Sequence, residues 1–79
     1  MVAMSGFVRG PVTWGELDAR RRAFKSPKIS RAELCRRAGI SESTVTKGLK
    51  FGHLPTKETR KQVELVLEAE QAMRDAGLR

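Results

Sequence analysis

The sequence predicts an all-α chain of four helices, and three observations carry that expectation. No segment alternates apolar and polar residues over five positions, so nothing reads as a half-buried strand. Apolar residues recur instead at three- and four-residue spacing. Each such stretch opens on a Ser or Thr suited to capping and closes on a Gly or just before a Pro.

Residues 1–12 read as a flexible N-terminal arm, because Gly6, Gly10 and Pro11 interrupt any period. "TWGE" at 13–16 is a capping box in which Thr13 takes an orphan amide and Glu16 reaches back. The first helix then runs to about Phe24, with Trp14, Leu17, Arg21 and Phe24 on one face. "KSPK" at 25–28 ends it, since the residue before Pro27 is pushed out of helical geometry. "SRAE" at 30–33 is a second capping box. It opens a helix to about Ala38 with Leu34, Cys35 and Ala38 facing inward. Gly39 supplies a left-handed turn. Ser41 caps the third helix, which reaches about Phe51 before Gly52, and Glu42 in its first turn suits the helix dipole. Pro55 and Thr56 announce the fourth, from about Lys57 to Ala76, stopped by Gly77.

A length of 79 residues suits one small domain with one modest core. The net charge is +7, and its distribution is uneven: residues 57–79 are neutral, so the whole excess lies in residues 1–56. A basic body joined to a neutral tail suits a polyanionic partner, because neutralising phosphates releases counterions. No apolar run approaches the length of a membrane span and no signal-peptide pattern opens the chain. The single cysteine, Cys35, cannot form an internal disulfide. The expected address is the cytoplasm, in association with the nucleoid. Enzymatic readings find no carboxylate pair, no nucleophile with a base and no glycine-rich phosphate loop, so no enzyme and no cofactor is expected. His53 has no Cys or His partner, which argues against a metal site, and nothing points to a small-molecule effector.

The break at Gly39 carries the functional argument. A short helix, a Gly-centred turn and a second short helix make a helix-turn-helix. Closely crossing helices need a small residue where they meet, here Cys35, and apolar residues to close the angle, here Leu34, Ala38, Ile40 and Val45. The other side of the third helix, Glu42, Ser43, Thr46, Lys47 and Lys50, is then free to enter a major groove.

The stretch "ELCRRAGISESTVTKGLKFG" resembles the helix-turn-helix of the lambda-repressor/Cro-like (Xre-type) regulators. "GHLPTKETRKQVELVL" continues the likeness, matching that family's Gly, Pro-Ser/Thr, Thr and apolar-pair pattern after the recognition helix. The third helix is also similar to that of the lac-repressor type. The preceding segment with Trp14, Leu17 and Phe24 favours the first family. The resemblance covers about residues 13–68. It implies a compact bundle of four to five helices with a long C-terminal helix over 13–79, binding double-stranded DNA to regulate transcription. Stand-alone domains of that family are common in phages and other mobile elements, and repression is the expected sense. One departure is Gly48, which stands where the family has an apolar core residue; Leu49 and Phe51 are expected to take over that packing.

Within this frame Glu42, Ser43, Thr46, Lys47 and Lys50 are the candidate base readers. Lys donates to guanine O6 and N7, Glu accepts from cytosine N4, and Ser or Thr does either. Arg31 resembles the family position that touches a phosphate and braces the recognition helix. A pairing of Arg31 with Glu42 would make Glu42 an orienting partner, and both readings stand. Thr44, His53, Thr56 and Lys57 lie at helix starts or loops suited to phosphate contact. Arg20, Arg21, Arg22, Arg36 and Arg37 form the remaining basic supply.

The fourth helix carries two apolar stripes where a monomer needs one. Val63, Val66, Leu67 and Met73 form the first; Leu65, Ala69, Ala72 and Ala76 form the second, with Met73 at its edge. The second stripe is the expected interface of a homodimer reading a palindromic operator. The alternative is an antitoxin-like or adaptor protein using the same fold to hold a protein partner.

Overall fold

The computed structural model describes residues 12–78. These form four α-helices and no strand: α1 (Trp14–Arg22), α2 (Arg31–Ala38), α3 (Glu42–Phe51) and α4 (Lys57–Asp75). The expected arm lies outside the described residues except for Val12, which is half-buried and packs against the core.

Every helix starts on a hydroxyl. Thr13 Oγ1 accepts from the Glu16 amide at 3.1 Å and Ser30 Oγ from the Glu33 amide at 3.0 Å. Ser41 Oγ accepts from the Ser43 amide at 3.2 Å, and Thr56 Oγ1 from the Thr59 amide at 3.1 Å. Each such cap contributes about 1 kcal/mol over Ala. The second capping box is only half made, because the Glu33 carboxylate goes to Arg36 and Arg37 instead of back to Ser30.

A further local frame fixes the entry of three helices. The residue before each cap and the fourth residue of the helix are both apolar: Val12 with Leu17, Ile29 with Leu34, Ile40 with Val45. All six lie in or against one core. Such a pair staples the incoming chain to the first turn. Ile29, which falls between the helices that the sequence predicts, is buried for this reason.

Trp14, Leu17, Phe24, Ile29, Leu34, Cys35, Ala38, Val45, Val63 and Leu67 make the core, with Leu49 and Val66 packed against it. α1 ends at Arg22, short of the expected Phe24, yet Phe24 is buried from the connection that follows. Gly39 takes φ +73°, and the Ile40 amide reaches back to the Cys35 carbonyl at 3.0 Å, closing α2 in a Schellman-type turn.

Two carboxylates hold the connection between α1 and α2 in place. Asp18, buried on α1, accepts from Arg21 at 3.0 Å and from Arg31 at 3.3 Å, while Arg21 also donates to the Ile29 carbonyl at 2.9 Å. Glu70 is 1% exposed on α4 and meets Arg37 at 3.0 Å and Arg74 at 2.7 Å. Arg74 donates onward to the carbonyls of Lys25 and Pro27 and lies over the Phe24 ring at 4.7 Å. The inner face of α4 is therefore not purely apolar, since Glu70 continues the Val63–Leu67 line.

Candidate nucleic-acid interface

α3 packs against α1 and α2 but not against α4. Its buried line is Val45 and Gly48, with Leu49 half-buried beside them. At about 100° per residue, Ser43, Thr46, Lys47 and Lys50 fall on the opposite side, and all four are exposed. Glu42 is exposed at the edge of this face. All five candidate base readers thus share one open surface.

Some of these side chains already have local partners. Thr46 Oγ1 donates to the Glu42 carbonyl at 3.2 Å, which orients its methyl and its lone pairs. The Ser43 and Ser41 hydroxyls are 2.8 Å apart. Lys50 Nζ lies 5.4 Å from the centre of the Phe51 ring, and the His53 ring is 5.7 Å from the same ring.

Between α3 and the start of α4 lies a shallow recess of about 280 Å³. Trp14 lines it, and Thr44, Lys47, His53 and Thr56 meet around it. Three candidate phosphate contacts, Thr44 from α3 and His53 and Thr56 from the connection that follows it, therefore converge beside Lys47. Lys57, the first residue of α4, follows directly on Thr56.

Arg31 is not part of this group. Its guanidinium is engaged by Asp18, so of the two open readings the pairing of Arg31 with Glu42 is the one that does not form. The reason is burial: Asp18 is a nearly covered carboxylate that needs cations, while Glu42 is solvated at a helix N-terminus. Burial alone would raise the Asp18 carboxyl, but hydrogen bonds from Arg21 and then Arg31 outweigh it and hold it below its ordinary value of 3.8. Cys35 sits 2% exposed behind α3; burial, and secondarily the charge of Glu42, pushes its thiol up. It is a small packed residue.

Phe51 does not replace the side chain missing at Gly48: it is 59% exposed. The indole of Trp14 fills that space from α1. Leu54, also exposed, extends the apolar surface beyond α3.

The basic supply is also redistributed. All eight described arginines sit within 4 Å of a carboxylate, including Arg20 and Arg60 with Glu64, Arg22 with Asp18, and Arg36 with Glu33. None of the lysines makes an ion pair among the described residues, and all six described are exposed. Residue order carries no sign of this division, because it depends on which acids the fold covers.

On α4 the second stripe is open. Leu65, Ala69, Ala72 and Ala76 are exposed, and Met73 is half-buried. Among the described residues no helix is long and apolar enough to cross a membrane. Comparison with protein-family models, curated proteins and solved structures returned no match for the chain.

Proposed function

We propose that the chain is a sequence-specific DNA-binding regulator of transcription that reads the major groove of double-stranded DNA with α3. The observation that carries this reading is the open face of that helix. A helix held from one side only, by Val45, Gly48 and Leu49, presents Ser43, Thr46, Lys47 and Lys50 together, with Thr44, His53 and Thr56 around the adjoining recess and Lys57 next after Thr56 in the chain. That is the division a protein–DNA interface needs, with base-reading groups at the centre and backbone-contacting groups at the rim. The likeness of residues 13–68 to the Xre-type regulators points the same way, as does the basic charge of residues 1–56. The reading makes the protein a non-enzymatic, nucleoid-associated repressor that acts as a homodimer through the Leu65–Ala76 stripe.

The test is selection of bound duplexes from a random library by the purified protein. One enriched, palindromic sequence is expected. On that sequence Lys47→Ala should cost about 1–3 kcal/mol and relax preference at one or two base pairs. Retention of no preferred sequence would refute the reading.

The exposed Phe51 and Leu54 favour a second reading, an adaptor that holds a protein partner against the end of α3. A partner recovered in fixed stoichiometry without DNA, and no longer recovered with Phe51→Ser, would support it.

A further inference from the structure

The division between arginine and lysine is also a division of duties. The buried acids claim the arginines: Arg21 and Arg74 are each 13% exposed at the side chain, Arg37 is 29% and Arg31 is 31%. Their planar forks satisfy two oxygens at once, and removing a cation from Asp18 or Glu70 would leave buried charge uncompensated. Arg22 and Arg36 are far more open: Arg22 reaches the buried Asp18 from the solvent side, and Arg36 pairs with the half-buried Glu33. The lysines carry no such duty. Lys57 stands at the first position of α4, where a cation opposes the helix dipole, so helix stability does not explain it. Lys47 opens onto the recess between α3 and α4, and Lys50 lies about one turn further along the same face of α3.

We infer that Lys47, Lys50 and Lys57 are a lysine-acylation switch: neutralising these amines turns DNA binding off while the arginine-built fold stays intact. The inference rests on the DNA-binding reading and assigns its regulation. In the modifying step the unprotonated amine attacks the carbonyl carbon of a thioester or an acyl phosphate. An amide forms, the thiolate or phosphate leaves, and the amine's proton passes to solvent. Each event removes one cation. Guanidinium groups do not react under the same conditions, so the Asp18 and Glu70 networks survive. Small charge changes matter here because affinity for a polyanion depends steeply on the number of phosphates neutralised.

The experiment compares the full chain before and after acetylation with an N-hydroxysuccinimide ester, using a random-sequence DNA duplex over a series of salt concentrations. Acetylated protein should keep its helical circular dichroism and melting temperature. It should bind roughly tenfold or more weakly, with a salt slope shallower by about 0.9 for each phosphate no longer neutralised. The triple variant K47R/K50R/K57R, which keeps the charge and cannot be acetylated there, is compared only with its own untreated form, and its affinity should be the same before and after the treatment. Unchanged binding by acetylated wild type, loss of helix on acetylation, or equal weakening in the triple variant would each overturn the inference and leave the DNA reading standing. Failure of the unmodified protein to bind any duplex would instead remove the DNA reading, and this inference with it.

Discussion

The indole of Trp14 occupies the space that a side chain at Gly48 would fill. A Cβ at position 48 would lie 2.6 Å from the indole Nε1 and 2.7 Å from Cγ, closer than atoms can pack. One large side chain on α1 thus substitutes for an absent one on α3 and sets how closely the two helices approach. Because α3 carries the open polar face, this packing also fixes where that face stands.

Gly48→Ala sets that packing against helix propensity. In an exposed helix the change would stabilise by about 1 kcal/mol. Here the buried indole cannot yield without disturbing Leu17 and Val45 in the same core. Overpacking of about 1–3 kcal/mol should dominate, giving a net fall in stability by urea unfolding. In a Trp14→Leu background the same change should be less costly than in the wild type. Simple additivity of the two would refute the packing described.

The acid limb of stability should report Asp18. Its carboxyl is held below the ordinary 3.8, so the unfolded chain binds the proton more readily than the native one. The stabilisation is therefore present above pH 3.8 and is lost as pH falls through the lower, native value. Glu33, lowered by Arg37 and then Arg36, adds with the same sign from its ordinary 4.5. Melting temperature should drop below about pH 4, and Asp18→Asn should make that drop shallower. An identical acid limb in Asp18→Asn would show that the carboxylate contributes nothing.

Glu70 should be the costliest charge to remove from α4. Glu70→Ala leaves Arg37 with Glu33 alone, and Arg74 with the carbonyls of Lys25 and Pro27 and the Phe24 ring but no carboxylate. A loss of roughly 3 kcal/mol is expected, against well under about 1 kcal/mol for Glu68→Ala on the exposed side of the same helix. Equal effects in chemical denaturation would mean that Glu70 is not a structural partner.

The proposed dimer places Leu65, Ala69, Ala72 and Ala76 at the two-fold axis. Ala69→Glu with Ala72→Glu leaves the Val63–Leu67–Glu70 face untouched, so a folded monomer is expected. That monomer should lose far more affinity for a palindrome, with half-sites roughly 34 Å apart, than for a single half-site. Light scattering checks the premise directly: a wild-type monomer both alone and on its selected DNA would refute it.

Local chemistry was legible in the chain. The four capping hydroxyls, the left-handed Gly39, the helix stops at Gly52 and Gly77, and the four helices they bound are all there. Each rests on hydrogen bonds between residues close in the chain, so sequence spacing specifies them. The apolar line Val63–Leu67 and the open face of α3 were legible for the same reason. Val12 and Ile29 carry a local signal as well, because each stands just before a capping residue with an apolar partner one turn into the helix. What tertiary structure decided was the choice among equivalent partners. Asp18 has Arg20, Arg21 and Arg22 close behind it, yet folding also brings it Arg31 across 13 positions and leaves Glu42 to solvent. Glu70 finds Arg37 across 33. Gly48 gives no hint that a tryptophan from another helix will fill its place. Charges and voids have no period of their own; they are matched only when packing decides which acids lose water and which helices touch.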